Sequence, residues 1–205
     1  MTYKFKEIKI LILKKIPHLE KNCYLQCISS KGEHIKIFLK NGLTSKKFCI
    51  LEPGNTFSID TFHKNEKIYL NKFELIKYRP ELKNYQSHKT LATTLNLTNK
   101  IFQNKEFSPK IYSFVSATIH SEFIDNQNYL IYFLINILFI EGFIDFKSNK
   151  NQNLNKLIFY ASQTKHENFK KIQIAFQLEK DIKNFINQIL EDNFNLPSIQ
   201  RLLQQ

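Results

Sequence analysis

Cysteine, proline and glycine are scarce in this chain, at 3, 5 and 4 of its 205 residues. With 42% hydrophobic residues, so little proline and glycine argues against a disordered polymer and for a globular protein. The cysteines, Cys23, Cys27 and Cys49, form an odd set with no CxxC pair, which excludes a disulfide framework and the usual zinc spacing. They read as buried thiols in a reducing cytosol, so a cytoplasmic protein is expected. Long apolar runs are missing as well. The stretch from Tyr129 to Ile140, broken only by Asn136, falls short of the roughly 20 residues that span a bilayer. The run from Ile8 to Ile12 contains Lys9 and precedes no small-residue cleavage site, so it reads as a first strand and not a signal peptide. No membrane partner is expected.

Catalytic signatures are also missing. The glycines stand alone at 32, 42, 54 and 142, which excludes a phosphate-binding loop. The histidines at 18, 34, 63, 88, 120 and 166 show no HExxH spacing, and there is no nucleophile elbow or carboxylate cluster. His120-Ser121-Glu122 looks like an acid/base or metal pair, but helical positions i and i+2 point about 200° apart and cannot share a ligand. The expectation is a binding protein with no catalytic residue, no metal and no cofactor.

Positive charge and aromatic rings are plentiful. The net charge is +12, with 19 Phe and 9 Tyr. Residues 1–82 carry 16 Lys and Arg against 8 Asp and Glu, while 83–205 carry 14 against 10, so the excess is concentrated in the N-terminal part. A basic surface of this kind suits nucleic acid, anionic membrane or acidic proteins.

The stretch from Lys31 to Pro53 organises that basic part. Ile35, Ile37 and Leu39 alternate with Lys36, Phe38 and Lys40, the period of a strand with one face towards a core. Lys31-Gly32 and Asn41-Gly42 are turn pairs on either side, Asn-Gly being the preferred chemistry where both central residues take positive φ. Similar alternation marks Lys4 to Ile16, Asn22 to Ser30, Thr56 to Phe62 and Lys67 to Tyr78, and a short apolar run covers 48–51. Five or six strands with frequent turns fit a five-stranded OB-type barrel over residues 1–80, a fold whose strand 2–3 face commonly binds oligonucleotides.

After Arg79-Pro80 the period changes from 2 to 3.6, so residues 81–205 are expected to form an α-helical domain and the whole chain an α+β protein. Tyr85, His88, Leu91, Leu95 and Phe102 share one helical face. A second helix starts at Ser108-Pro109 and carries Ile111, Phe114, Val115, Thr118, Ile119 and Phe123. Residues 129–140 form a central buried helix ending near Glu141-Gly142. The secondary structure of 147–165 stays open between loop, short helix at Leu154 to Ala161, and strand at Leu157 to Tyr160. A long amphipathic helix runs from Phe169 to Ile189, and a last one starts with Asn195 as cap and packs Ile199, Leu202 and Leu203.

The order of these features resembles the RecO family of DNA-repair recombination mediators. The likeness runs through the first strand with its basic pair, the Gly32 turn, and the strand into Lys40-Asn41-Gly42. It continues through the basic loop, Leu51-Glu52-Pro53, and Leu70 with Phe73-Glu74. A second stretch, Phe133 to Leu138 followed by Glu141-Gly142-Phe143, is similar to that family's helix with a leucine pair and a Gly-aromatic step. The resemblance implies an OB fold that binds single- and double-stranded DNA and promotes strand annealing. It also implies partnership with RecR and with the C-terminal tail of single-stranded DNA-binding protein in loading RecA. Many members carry a four-cysteine zinc module; here no cysteine follows Cys49, so zinc is not expected. The family's basic positions fall on Lys40, Lys46 and Lys47, lysines in place of arginines, which keeps phosphate contact but not bidentate geometry. With Tyr24, Phe38 and Phe48 interleaved, the DNA-binding residues expected are Lys31, Lys36, Lys40, Lys46 and Lys47. An OB-fold protein serving RNA or the ribosome is the alternative.

Overall fold

The computed structural model describes residues 2–79, 81–103, 105–144 and 151–196. Alternating apolar residues build five strands: β1 (Thr2–His18), β2 (Asn22–Ser29), β3 (His34–Leu39), β4 (Thr56–Lys64) and β5 (Lys67–Lys77). They close into a barrel in the OB-type order β1-β2-β3-β5-β4, with β3 and β5 parallel and every other neighbour antiparallel. The fold is α+β: an OB-like barrel followed by helices.

The inward set is the one that the period-2 reading selects. Ile8, Ile10 and Ile12 meet Cys23, Leu25 and Cys27, then Ile35, Ile37 and Leu39, with Phe57 and Ile59 from β4. Each fully buried side chain of this kind contributes about 1.5–3 kcal/mol. The long β1 serves two neighbours, β4 through its first half and β2 through its second. Register shifts lie at 5–8 and 12–14 of β1, and bulges of this kind curl a sheet towards closure. Within the first, Glu7 takes φ 52 and its N–H donates to Asp60 Oδ1 at 2.8 Å.

The apolar run at 48–51 is not a strand. Lys46–Phe48 is a 3-10 turn, and Phe48, Ile50 and Leu51 pack against the barrel interior. Because β3 pairs with β5, the chain between β3 and β4 leaves the sheet, and its apolar residues fill the barrel where the sheet gives them no partner. Lys15 Nζ anchors this connection through Glu52 Oε1 at 2.7 Å. The turn pairs also differ from expectation in detail. Asn41 has φ 55 but Gly42 is not at positive φ; its smallness answers to space, since a Cβ there would lie 2.4 Å from Cys23 Sγ. Cys23 and Cys27 are buried in the barrel, whereas Cys49, expected buried, is exposed in the turn.

The helices are α1 (Tyr85–Phe102), α2 (Pro109–Ile119), α3 (Tyr129–Ile140), α4 (Gln152–Gln163), α5 (His166–Phe169) and α6 (Phe176–Phe194). The chain forms two compact units: Met1–Glu81 with Thr94–His120, and Leu82–Thr93 with Ser121–Gln205. The helical part expected at 81–205 is therefore shared between them, and α1 contributes to both.

In α1 the expected face is wrong at its start, since Tyr85 and His88 are exposed while Ser87, Thr90, Thr93, Thr94 and Thr98 are buried. Threonine can fill a buried stripe because its hydroxyl bonds back to a carbonyl one turn earlier, as in Thr90 to Gln86 and Thr98 to Thr94. Ser108 caps α2 as expected, accepting from Lys110 N.

In the second unit α3 is buried on all sides, and Asn136 is satisfied through Nδ2 by the Tyr132 and Ala161 carbonyls. Glu141 caps the end of α3, and Gly142 follows at φ 79. Leu154, Leu157, Ile158 and Ala161 are buried on α4, so Gln152–Gln163 of that open segment is helix after an Asn151 cap, while 147–150 lie outside the described residues. The long helix expected from Phe169 starts only at Phe176. Phe169 ends the short α5, where it meets the Tyr132 and Tyr160 rings. Asn195 closes α6 in a left-handed conformation and so does not open a new helix; the expected packing of Ile199, Leu202 and Leu203 lies outside the described residues. Among the described residues no helix is long and apolar enough to cross a membrane.

Candidate nucleic-acid interface

Outward positions on the barrel alternate with the core, so the register decides which of them meet. Tyr24 pairs with Phe38 across β2 and β3, Phe38 with Tyr69 across the parallel β3 and β5, and Tyr69 with Phe62 across β5 and β4. The rings follow the pairs. Centroids are 5.2 Å apart for Tyr24 and Phe38, 5.4 Å for Phe38 and Tyr69, and 5.3 Å for the stacked Phe62 and Tyr69. His18, at the end of β1, extends the row against Tyr24 at 4.9 Å. Apart from Phe38, which is 8% exposed, these side chains are half-buried, with ring surface left to solvent.

Cations sit on the row. Lys36 Nζ lies 4.3 Å from the Tyr24 centroid and Lys67 Nζ 4.6 Å from that of Phe38. Such contacts hold flexible ammonium groups over the ring faces. Half-buried rings and positioned lysines along one sheet face provide stacking for bases and charge for phosphates, the two requirements of a single-strand binding groove.

Of the five expected site lysines, only Lys36 lies on this row. Lys31 is exposed in the turn before β3, and Lys40, Lys46 and Lys47 are exposed beyond its other end. Lys47 Nζ approaches Phe48 and Phe73 at 5.8 and 5.6 Å, but those rings pack against the barrel interior. Phe48 is thus half-buried against the core and not part of the ring row. Sequence reasoning missed Lys67, Tyr69, Phe62 and His18. The signal exists only in the parallel pairing of β3 with β5, which no local period reveals.

Further along β2, from Gln26 to Ile28, the same outer face is closed. His34 Nε2 and Asn99 Oδ1 are 2.9 Å apart, and Asn99 Nδ2 donates to Gln26 Oε1 at 3.0 Å, so a polar chain ties β3 and β2 to α1. Burial lowers the His34 pKa below its usual value, the Asn99 hydrogen bond opposing it. At neutral pH the imidazole is uncharged, donating through Nε2 and leaving Nδ1 as an acceptor. Burial likewise pushes the Cys27 thiol up, keeping it protonated and a poor metal ligand or nucleophile. Among the described residues no group of three or more His, Cys, Asp or Glu comes together as a metal site.

No family model matches the chain, and no curated protein matches it in sequence.

Proposed function

We propose that this protein binds single-stranded DNA along the outer face of its barrel and acts without catalysis, by holding strands for pairing. The observation that carries this reading is the continuous row His18, Tyr24, Phe38, Tyr69 and Phe62 with Lys36 and Lys67 over two of its rings. Rings accept any base, and lysines accept any phosphate. The net charge of +12 adds long-range attraction for a polyanion.

The more specific role, a RecO-like mediator that anneals strands, also engages duplex DNA and works with RecR and the single-stranded DNA-binding protein tail, rests on the sequence resemblance. Lys31, Lys40, Lys46 and Lys47 then extend the phosphate track beyond both ends of β3.

A binding and annealing assay at physiological salt tests this. The purified chain should shift an unstructured single-stranded oligonucleotide and accelerate pairing of complementary strands. Binding confined to RNA, with no acceleration of DNA pairing, would replace the proposal with an RNA-serving role.

A further inference from the structure

The two ends of the ring row are closed by turns that both need positive φ but differ in chemistry. Past Phe62, β4 turns into β5 through Asn65 and Glu66, at φ 46 and 60. Past His18, β1 turns into β2 through Leu19 and Glu20, at φ 47 and 34. Asparagine enters the left-handed region at low cost, whereas a leucine there is a steric outlier. The Asn65 end is polar: its turn borders a cavity of about 540 Å³ lined by Lys36, Lys67, Lys105, Glu66 and Glu106 among others. The Leu19 end is not.

Leu19 is 73% exposed, so folding gains little from its side chain while its backbone is strained. A second exposed leucine reaches the same end of the barrel: Leu43, 42% exposed, donates its N–H to the Lys21 carbonyl at 3.0 Å. The Asn41 N–H donates to Asn22 Oδ1 at 2.9 Å, which ties the segment after β3 to this turn. Exposed Lys40 is thereby placed beside the turn that carries exposed Lys21, with Glu20 as the carboxylate between the leucine and that lysine. Apolar side chains held out to water among cations, where the row of rings stops, have no use in the fold. Strain kept at such a point directs attention to a ligand.

We infer that Leu19 caps duplex DNA: a single strand lies on the row, and the first base pair of the duplex it runs into rests against this leucine. The inference rests on the reading of the ring row as a single-strand interface. The outer face of a terminal base pair is ring surface without donors or acceptors in its plane of contact, and leucine is among the side chains that proteins lay against exposed base steps. Lys21 and Lys40 supply charge for the two backbones that meet at that pair. The polar turn at the far end offers no such surface, so the strand runs on past it. A chiral face holds a strand in one preferred polarity, and with a single apolar end the duplex can follow on one side only.

Fluorescence anisotropy at physiological salt tests it, with the full chain, a labelled oligothymidine, and two labelled duplexes that differ only in whether the same oligothymidine tail leaves the 3′ or the 5′ end. The two duplexes carry the same charge, so long-range attraction does not separate them. One should bind roughly tenfold more tightly than the other, towards the low end of what one stacked base contributes. Leu19→Asn, which suits a positive φ and removes the apolar cap, should bring the two to equal affinity while oligothymidine binding and melting temperature stay at the parent's level or above; Leu19→Gly should do the same. Equal affinity of the parent for both duplexes overturns the inference, with no variant needed. So does a preference that survives both substitutions, or a loss that oligothymidine shares; the exposed leucines would then be left to a protein partner, and the row's role would stand. Failure to bind any single strand overturns the reading of the row and this inference with it.

Discussion

Two outer flanks of one barrel carry different residues for different reasons. On the flank where α1 and α2 of the same unit approach β2, the outward positions include Leu11 and Ile28, register partners that are fully buried though outside the interior cluster. On the flank that stays open, the outward positions are Tyr24, Phe38, Tyr69 and Phe62, rings that cover one another and keep surface towards water. Aliphatic side chains suit a site that another element dries. Aromatic ones, with a polar handle or a cation above them, tolerate both water and a ligand. Side-chain type thus separates the covered flank from the open one, although both alternate with the same core.

The covered flank breaks most readily at Gly32. Its φ is +82, and a Cβ there would lie 2.0 Å from the Phe107 carbonyl oxygen, whose own residue donates its N–H to Gly32 O at 2.9 Å. Gly32→Ala combines backbone strain with overpacking and should cost about 2–5 kcal/mol. A urea titration reads this as a lowered midpoint. Unchanged stability would mean that the 105–109 segment does not seal this flank.

Next in size are substitutions that set one flank against the other. Tyr69→Ala should weaken single-strand binding by about 1–3 kcal/mol, the scale of one lost base-ring stack. Ile28→Val should cost about 0.5–1.5 kcal/mol of stability while leaving binding alone. Equilibrium binding and thermal melting of both variants decide the matter; binding losses of equal size would erase the distinction. The lysines refine it further. If each contacts one phosphate, Lys36→Ala with Lys67→Ala should flatten the dependence of log affinity on log salt by about 1.4. Lys40, Lys46 and Lys47 changed together should flatten it by about 2 if the track extends past β3. A full effect for the pair and none for the triple would confine the strand to the ring row.

These experiments turn on residues of unequal legibility. The barrel interior was readable because Ile35, Ile37 and Leu39, like Cys23, Leu25 and Cys27, alternate within single strands. Helix α3 was readable from its apolar run, and the start of α2 from Ser108-Pro109. The stripe of α1 was not, because buried threonines do not register as apolar. The start of the long helix was misplaced because Phe169 and Ile172 keep helical spacing across a break. The ring row was half visible: Tyr24 and Phe38 flank the central stretch, while Tyr69 and Lys67 join them only through β3–β5 pairing, across about thirty residues that loop closure brings together. Lys46 and Lys47 were visible as charge, but nothing local told that Phe48 beside them turns inward.

The smallest effect expected lies where the two flanks meet, at His34. Its ring is tied to Asn99 on the covered side, and it lines the cavity beside Lys36 on the open side. The other charged or titratable groups of that cavity are Tyr24, Glu33, His63, Glu66, Lys67, Lys105 and Glu106. Burial lowers the folded-state pKa of His34 below the ordinary 6.5, so the unfolded chain binds the proton more readily than the folded one. The stability that neutral His34 contributes is complete above pH 6.5 and declines as pH falls through that value, levelling off once the folded state also titrates. His120 contributes with the same sign, burial lowering it too, so the parent protein carries both. His34→Gln, which can still donate to Asn99 but cannot titrate, should therefore lose part of the parent's decline in melting temperature between neutral and mildly acid pH, and His120→Gln another part. Parallel melting-temperature profiles for the parent and His34→Gln would mean that the imidazole is no more buried than in the unfolded chain, and the polar seal between the flanks would have to be assigned to Asn99 and Gln26 alone.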